Sequence, residues 1–317
     1  MNETTFPEPT TTTPSPTGAR QFFRDNLILR LEFATFGITR KADKNEITST
    51  ADRAMLAVGK RLIESDAYDA IRSHDNATRR IIAARTAPAP IFKSGSRIVR
   101  ATNYEKITAI LEEAGARRAA LVDTFITEYA GTDATPGLPE QARALLGRQW
   151  DPADYPSPGA VRDCYRWRAI WLELAPPAAL PGTAAAEAAA KLDEAIQEGI
   201  AQARAALRLE IADLIGRLQE RLTPDSNGRA KVFRDSAVSN VREWFDLFRD
   251  RDIAQDADLL NLIDKGRSIL SGVTPDALRE SAFTRRDIAE ALAPVAQAIQ
   301  SLAVADRPTR AYGDDTE

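Results

Sequence analysis

One cysteine and one histidine occur in 317 residues, and that scarcity removes whole classes of chemistry. Cys164 stands alone, so no intramolecular disulfide can form, and a reducing compartment, the cytoplasm, is the expected location. One Cys and one His cannot build a zinc site from nitrogen and sulfur ligands, and they leave little scope for a nucleophilic triad. The 16 glycines are scattered singly. Gly59-Lys60 lacks the upstream glycine and loop of G-x-x-x-x-G-K-[ST], and no G-x-G-x-x-G occurs, so neither phosphate loop nor dinucleotide fingerprint is present. C-x-x-C, H-E-x-x-H, G-x-S-x-G and the D-x-S-x-S adhesion-type metal motif are also missing. No stretch approaches 18 uncharged apolar residues, so no membrane span is expected. Met1–Arg20 lacks the apolar core of a secretory signal. The expectation is a chain without cofactor, metal or catalytic residues.

What is present is helix-forming. Hydrophobic residues make up 44% and charged residues 28%, the balance of a soluble globular protein. Alanine is abundant, which favours helix. The net charge of -4 and pI of about 5.4 argue against a protein that coats nucleic acid. The basic residues are 34 Arg and 8 Lys; such a bias suits phosphate or carboxylate recognition, although coding composition accounts for it more simply.

The strongest periodic signal is a long helix from Thr183 to about Thr223. Leu192, Ile196, Ile200, Ala203, Leu207, Ile211, Leu214, Leu218 and Leu222 recur about every 3.75 residues. That spacing departs from a sustained 3.5 heptad and favours packing inside a helical body over a free two-stranded coiled coil. At 1.5 Å per residue the helix reaches about 60 Å.

Around it, Ser49-Thr-Ala-Asp52 reads as a capping box opening a helix to about Glu64, and a second helix starts at Ser65-Asp66. Tyr104–Tyr129, Glu140–Leu146 and Ala257–Leu270 are further helices, and Asp235 caps one carrying Val238, Val241, Phe245 and Phe248. Thr274-Pro275 and Thr284-Arg-Arg-Asp287 cap two more, the last to be kinked by Pro294. Asn26–Arg40, Ile91–Ala101 and Tyr165–Glu173 alternate as strands. The predicted fold is mainly α, a multi-helix bundle organised around one long helix with a small antiparallel β-sheet. A Thr/Pro-rich disordered tail (1–20) precedes the helical domain (21–305), and an acidic tail (306–317) follows it.

Candidate sites are few. His74 reads as a solvated or interface residue. The pairs Glu112/Glu113, Asp246/Asp250 and Asp256/Asp258 read as solvated helix faces compensated by Arg. The best candidate interaction surface is the strand carrying Arg166, Trp167, Arg168 and Trp171, where alternating arginines and aromatics suit phosphates and stacked bases. The simpler expectation is that both tryptophans pack under the long helix.

Three segments carry a resemblance: Gly59-Lys-Arg-Leu-Ile-Glu-Ser-Asp-Ala-Tyr-Asp-Ala-Ile-Arg72 with Phe92-Lys-Ser-Gly95; Asp154-Tyr-Pro-Ser157; and Lys231-Val-Phe-Arg-Asp-Ser236. Over most of residues 25–270 the chain resembles the bacterial and phage family called domain of unknown function 3150. That family brings no catalytic residues. The resemblance implies a helical accessory subunit working with an AAA+ ATPase of the MoxR or cobaltochelatase type and a von Willebrand A protein. The expected function is a non-enzymatic scaffold or adaptor that holds a protein partner, either its own copy or such an ATPase. The alternative is a phage-type protein that associates with single-stranded nucleic acid through the Trp/Arg strand.

Overall fold

The computed structural model describes residues 18–46, 51, 55, 57–89, 95–173, 179–180, 182–223 and 236–305. It is mainly α, with one long helix and a small antiparallel sheet, as the periodicities predict. In chain order the elements are α1 (Gly18–Asp25), β1 (Asn26–Phe33), β2 (Thr39–Lys41), β3 (Gly59–Arg61), α2 (Asp66–Ala83), β4 (Ala87–Pro88), β5 (Ser96–Arg100), α3 (Tyr104–Ala130), α4 (Leu138–Leu146) and α5 (Pro158–Asp163). Then follow β6 (Trp167–Leu172), α6 (Gly182–Leu222), α7 (Ser236–Arg251), α8 (Ala257–Leu270), α9 (Pro275–Glu280) and α10 (Ala282–Ala305).

The sheet runs in the order β4-β5-β1-β6, with every pairing antiparallel. Its register sets Leu27 opposite Val99 and Leu29 opposite Trp171. Because side chains alternate across a pleated strand, Leu29, Val99, Trp167 and Trp171 share one face and pack on Ile82 of α2 and Ile107 and Leu111 of α3. Ile28 and Ile98 share the other face, which packs on Phe22 and Phe23 of α1 and Ile196 and Ala203 of α6. The sheet is therefore covered by helices on both faces. The tryptophans lie against α3 and not under the long helix, because the parity that turns Ile28 toward α6 turns Trp171 away from it. Gly115 of α3 makes room: a Cβ there would sit 3.0 Å from Trp167 Nε1.

The long helix belongs to two cores. Ile196 and Ala203 join the sheet core. From Leu207 onward, Ile211, Ile215, Leu218 and Leu222 join an apolar cluster with α7, α8 and α10. The apolar stripe read from the sequence is thus used along its length by successive partners. Gly266 lets α8 close onto α7, since a Cβ at that position would meet Phe245 Cζ at 2.8 Å.

Several local signals hold. Ser65 accepts from the Tyr68 amide, Ser157 from Ala160, and Thr274 from Ala277. Others are corrected. The helix expected through residues 59–64 is a strand and an extended lead into α2: Gly59–Arg61 pairs with Thr39–Lys41. Arg40 opposite Lys60 leaves both near Asp154, which ion-pairs with Lys60 at 2.7 Å. The capping box at 49–52 lies largely outside the described residues, as do the Asp235 cap and the 306–317 tail. Helix α1 begins at Gly18, inside the segment assigned to the first tail. Helix α10 begins earlier than Thr284, because the Ser281 hydroxyl accepts from the Thr284 amide and acts as its cap. It also continues through Pro294.

Candidate functional site

The strand proposed from sequence divides its four residues between two environments. Trp167 stacks edge-on with Phe33 at 4.8 Å, and Trp171 meets Tyr104 at 4.8 Å. Arg168 faces the opposite side of the sheet, opposite Glu32, and is exposed; Arg166 is exposed just before the strand, its carbonyl accepting from Ala34 N. The aromatic and cationic groups are brought together in sequence but not onto one surface. His74 is half-buried, with Nε2 2.9 Å from the Ala114 carbonyl, and helps seat α2 on α3.

What sequence reasoning missed is the charge buried where the sheet core meets the C-terminal helices. Arg208 of α6 grips Asp256 through two bonds of 2.6 and 2.8 Å, and both side chains are buried. The sequence pattern sets Asp256 with Asp258 on a solvated face, but only Asp258 is exposed. Asp256 also caps α8 by accepting from Leu259 N, and its own amide donates to Asp252. Burial pulls the Asp256 carboxyl upward, yet the bonds from Arg208 and Leu259 outweigh it and hold the group below the usual range. Asp252 accepts from the backbone amides of Asp256 and Gln255 and has Arg100 only at longer range; burial, reinforced by the charge of Asp256, outweighs them and pushes its carboxyl up. No local pattern announces a partner 48 residues away, so these pairs carry no signal short of the fold.

The junction continues outward. Arg100 donates to the Arg249 carbonyl, Asn103 to the Asp250 carbonyl, and Lys106 pairs with the Asp250 carboxylate at 2.7 Å. Arg251, at the end of α7, reaches Glu210 of α6 with both terminal nitrogens. Beside it, Arg97 donates to Thr86 Oγ1 at 2.9 Å and to the Ala83 carbonyl at 3.0 Å, capping the end of α2. Burial first, then the charge of Arg251, pushes the Arg97 guanidinium down to about 10.

A contrasting surface lies along the C-terminal turns of α6, beginning one turn after Arg208. From Ala291 to Ala305, α10 carries no charged residue. Leu292, Val295, Ile299 and Ala303 are buried in the core, while the opposite side faces outward, including Val304 at 54% exposed. Ala212, Gly216 and Gln219 of α6 and Ala293, Gln297 and Val304 of α10 line a groove of 690 Å³ between the two helices. Among the described residues, α10 alone is long and apolar enough by length and composition to cross a membrane, with 22% of its most apolar window buried. The expectation of no such segment is qualified to that extent.

Among the described residues no group of three or more His, Cys, Asp or Glu side chains gathers as metal ligands. No protein-family model, curated protein or solved structure matches the chain. The resemblance drawn from the sequence motifs therefore rests on those motifs alone.

Proposed function

We propose that this chain is a non-enzymatic helical scaffold or adaptor, acting in the cytoplasm, that holds a protein partner against the α6–α10 face. The observation that carries the reading is the uncharged, outward side of α10 beside the groove at Gly216. A helical face that carries alanine, glutamine, serine and Val304 but no charge can be covered without stranding an ion, and a groove floored by glycine and alanine admits a helix closely. Charged side chains flank the groove on α6 at Asp213 and Arg217, which pair with each other at 3.9 Å, giving it a polar rim around a neutral centre. The partner implied by the resemblance to the family of unknown function 3150 is an AAA+ ATPase of the MoxR or cobaltochelatase type; a second copy of this chain is the other protein partner the face admits.

Light scattering after size exclusion, with affinity capture of a candidate ATPase encoded nearby, tests the reading. A stable dimer or a captured ATPase is expected, and either is lost on Val304→Glu, a change on an exposed site that leaves the fold intact. A strictly monomeric chain that captures no ATPase overturns the reading, and so does an assembly indifferent to Val304→Glu.

A further inference from the structure

A second cleft, of 550 Å³, opens where α2 faces α6 and α7. It is lined by the apolar side chains of Ile81, Leu214, Leu247 and Trp244 and by three arginines, Arg80, Arg85 and Arg251. Two carboxylates also line it. Glu210 is taken up by both terminal nitrogens of Arg251, and Glu243 is exposed. The lining is therefore one positive charge in excess, three Arg against two Glu. Arg97, outside the lining, adds another positive charge near Arg251: burial first, then the charge of Arg251, lowers its affinity for a proton, and its hydrogen bonds go to neutral oxygens.

The hydrogen-bond inventory points the same way. The Nε–H of Arg85, the Nε1–H of Trp244 and the Nε–H of Arg251 are each sealed from water and meet no acceptor. Trp244 and Arg251 are 5% and 4% exposed, and the guanidinium lies over the indole at 5.6 Å from its centre. Three residues lining one cleft thus carry unused donors and none carries an unused buried acceptor. Leaving a buried donor unmade is costly, so native structures rarely gather several in one place. An acceptor entering the cleft reaches these donors only if the side chains that cover them shift.

We propose that this cleft binds a small organic anion: a phosphate or carboxylate head set among Arg80, Arg85 and Arg251, carried on an apolar or aromatic body that lies against Ile81, Leu214 and Leu247. Planar guanidiniums suit both head groups through paired N–H···O bonds, and the volume lies within the range of pockets that hold such molecules. The ligand would bridge α2 of the sheet core and α6 and α7 of the helical core. This goes beyond the scaffold reading and is independent of whether a partner covers α10.

Isothermal titration of the full chain with phenyl phosphate, inorganic phosphate and benzylamine tests it. Phenyl phosphate is expected to bind saturably, inorganic phosphate at least about tenfold more weakly for want of the apolar body, and benzylamine not at all. Arg80→Met and Arg85→Met should each weaken phenyl phosphate by about tenfold, the loss of one charge-assisted bond, with circular dichroism melts unchanged for the exposed Arg80. No heat from phenyl phosphate up to about 10 mM overturns the proposal. So does binding that survives the Arg80→Met/Arg85→Met double variant, or benzylamine binding as tightly. Equal affinity for inorganic phosphate overturns the apolar body.

Discussion

The core around the sheet and the core along the second half of α6 are built by opposite means. Around the sheet the apolar residues fall into separate clusters, one on each sheet face and one among α2, α3 and the β2–β3 ribbon. They are fastened by polar contacts: Arg118 of α3 binds Asp75 of α2 at 2.8 Å and the Ala34 carbonyl at 2.8 Å, with both charged side chains buried. Along α6 from Leu207, by contrast, one apolar cluster runs unbroken through α7, α8 and α10. A buried ion pair punishes the loss of one partner severely, whereas a hydrophobic core tolerates swaps that conserve volume. The first core is specified by direction, the second by volume, and the long helix has to satisfy both rules along one stripe.

That contrast can be broken from either side. Arg118→Met strands the Asp75 carboxylate and should cost about 3–5 kcal/mol by urea denaturation, while adding Asp75→Leu should restore most of it. If the double variant is as unstable as the single, the pair is not what fastens this core. In the other core, Phe248→Ala should also cost about 3–5 kcal/mol, through the cavity left by a fully buried ring, and no second-site change of charge should rescue it. Gly266→Ala should cost less, about 1–3 kcal/mol, since the new methyl meets a buried Phe245 ring that has nowhere to go; an unchanged midpoint would show that α7 and α8 can part.

The smallest effect lies at the junction. Burial raises the folded-state pKa of Asp252 above its ordinary 3.8, so the folded protein holds that proton more tightly than the unfolded chain. Its contribution is intact below about pH 3.8 and is lost as pH rises through the raised value. The melting temperature of Asp252→Asn relative to the parent should therefore climb between pH 4 and pH 7. A flat difference would remove burial as the cause.

The sequence made the helical framework legible where periodicity and caps agreed. Leu192 to Leu222 kept its spacing, and Ser65 and Thr274 had their amides in reach. It failed where a plausible local signal was overruled by pairing. Gly59-Lys-Arg looked like the end of a helix, but the ribbon with Thr39–Lys41 takes its backbone bonds, and Arg40 and Lys60 both find Asp154. The tryptophans are expected under the long helix, yet which side they face depends on the parity of a strand register with β1, and it sets them against α3. Charge was the least legible property. Asp75, Asp256 and Arg208 look like ordinary surface residues until partners 43 and 48 positions away are known. The unmet donors of the α2–α7 cleft are similarly a property of three-dimensional neighbours.

The double membership of α6 constrains length as tightly as composition. Ala203 faces the sheet and Leu207 opens the helical core barely one turn later. Each residue of a helix advances it by about 100°, so a single residue inserted between them would swing one core about the axis relative to the other and pull the junction apart. Three or four inserted residues nearly complete a turn and would only lengthen the spacing. The helix acts as a phase setting between two folded bodies, and evolution or design can alter its side chains far more freely than its count.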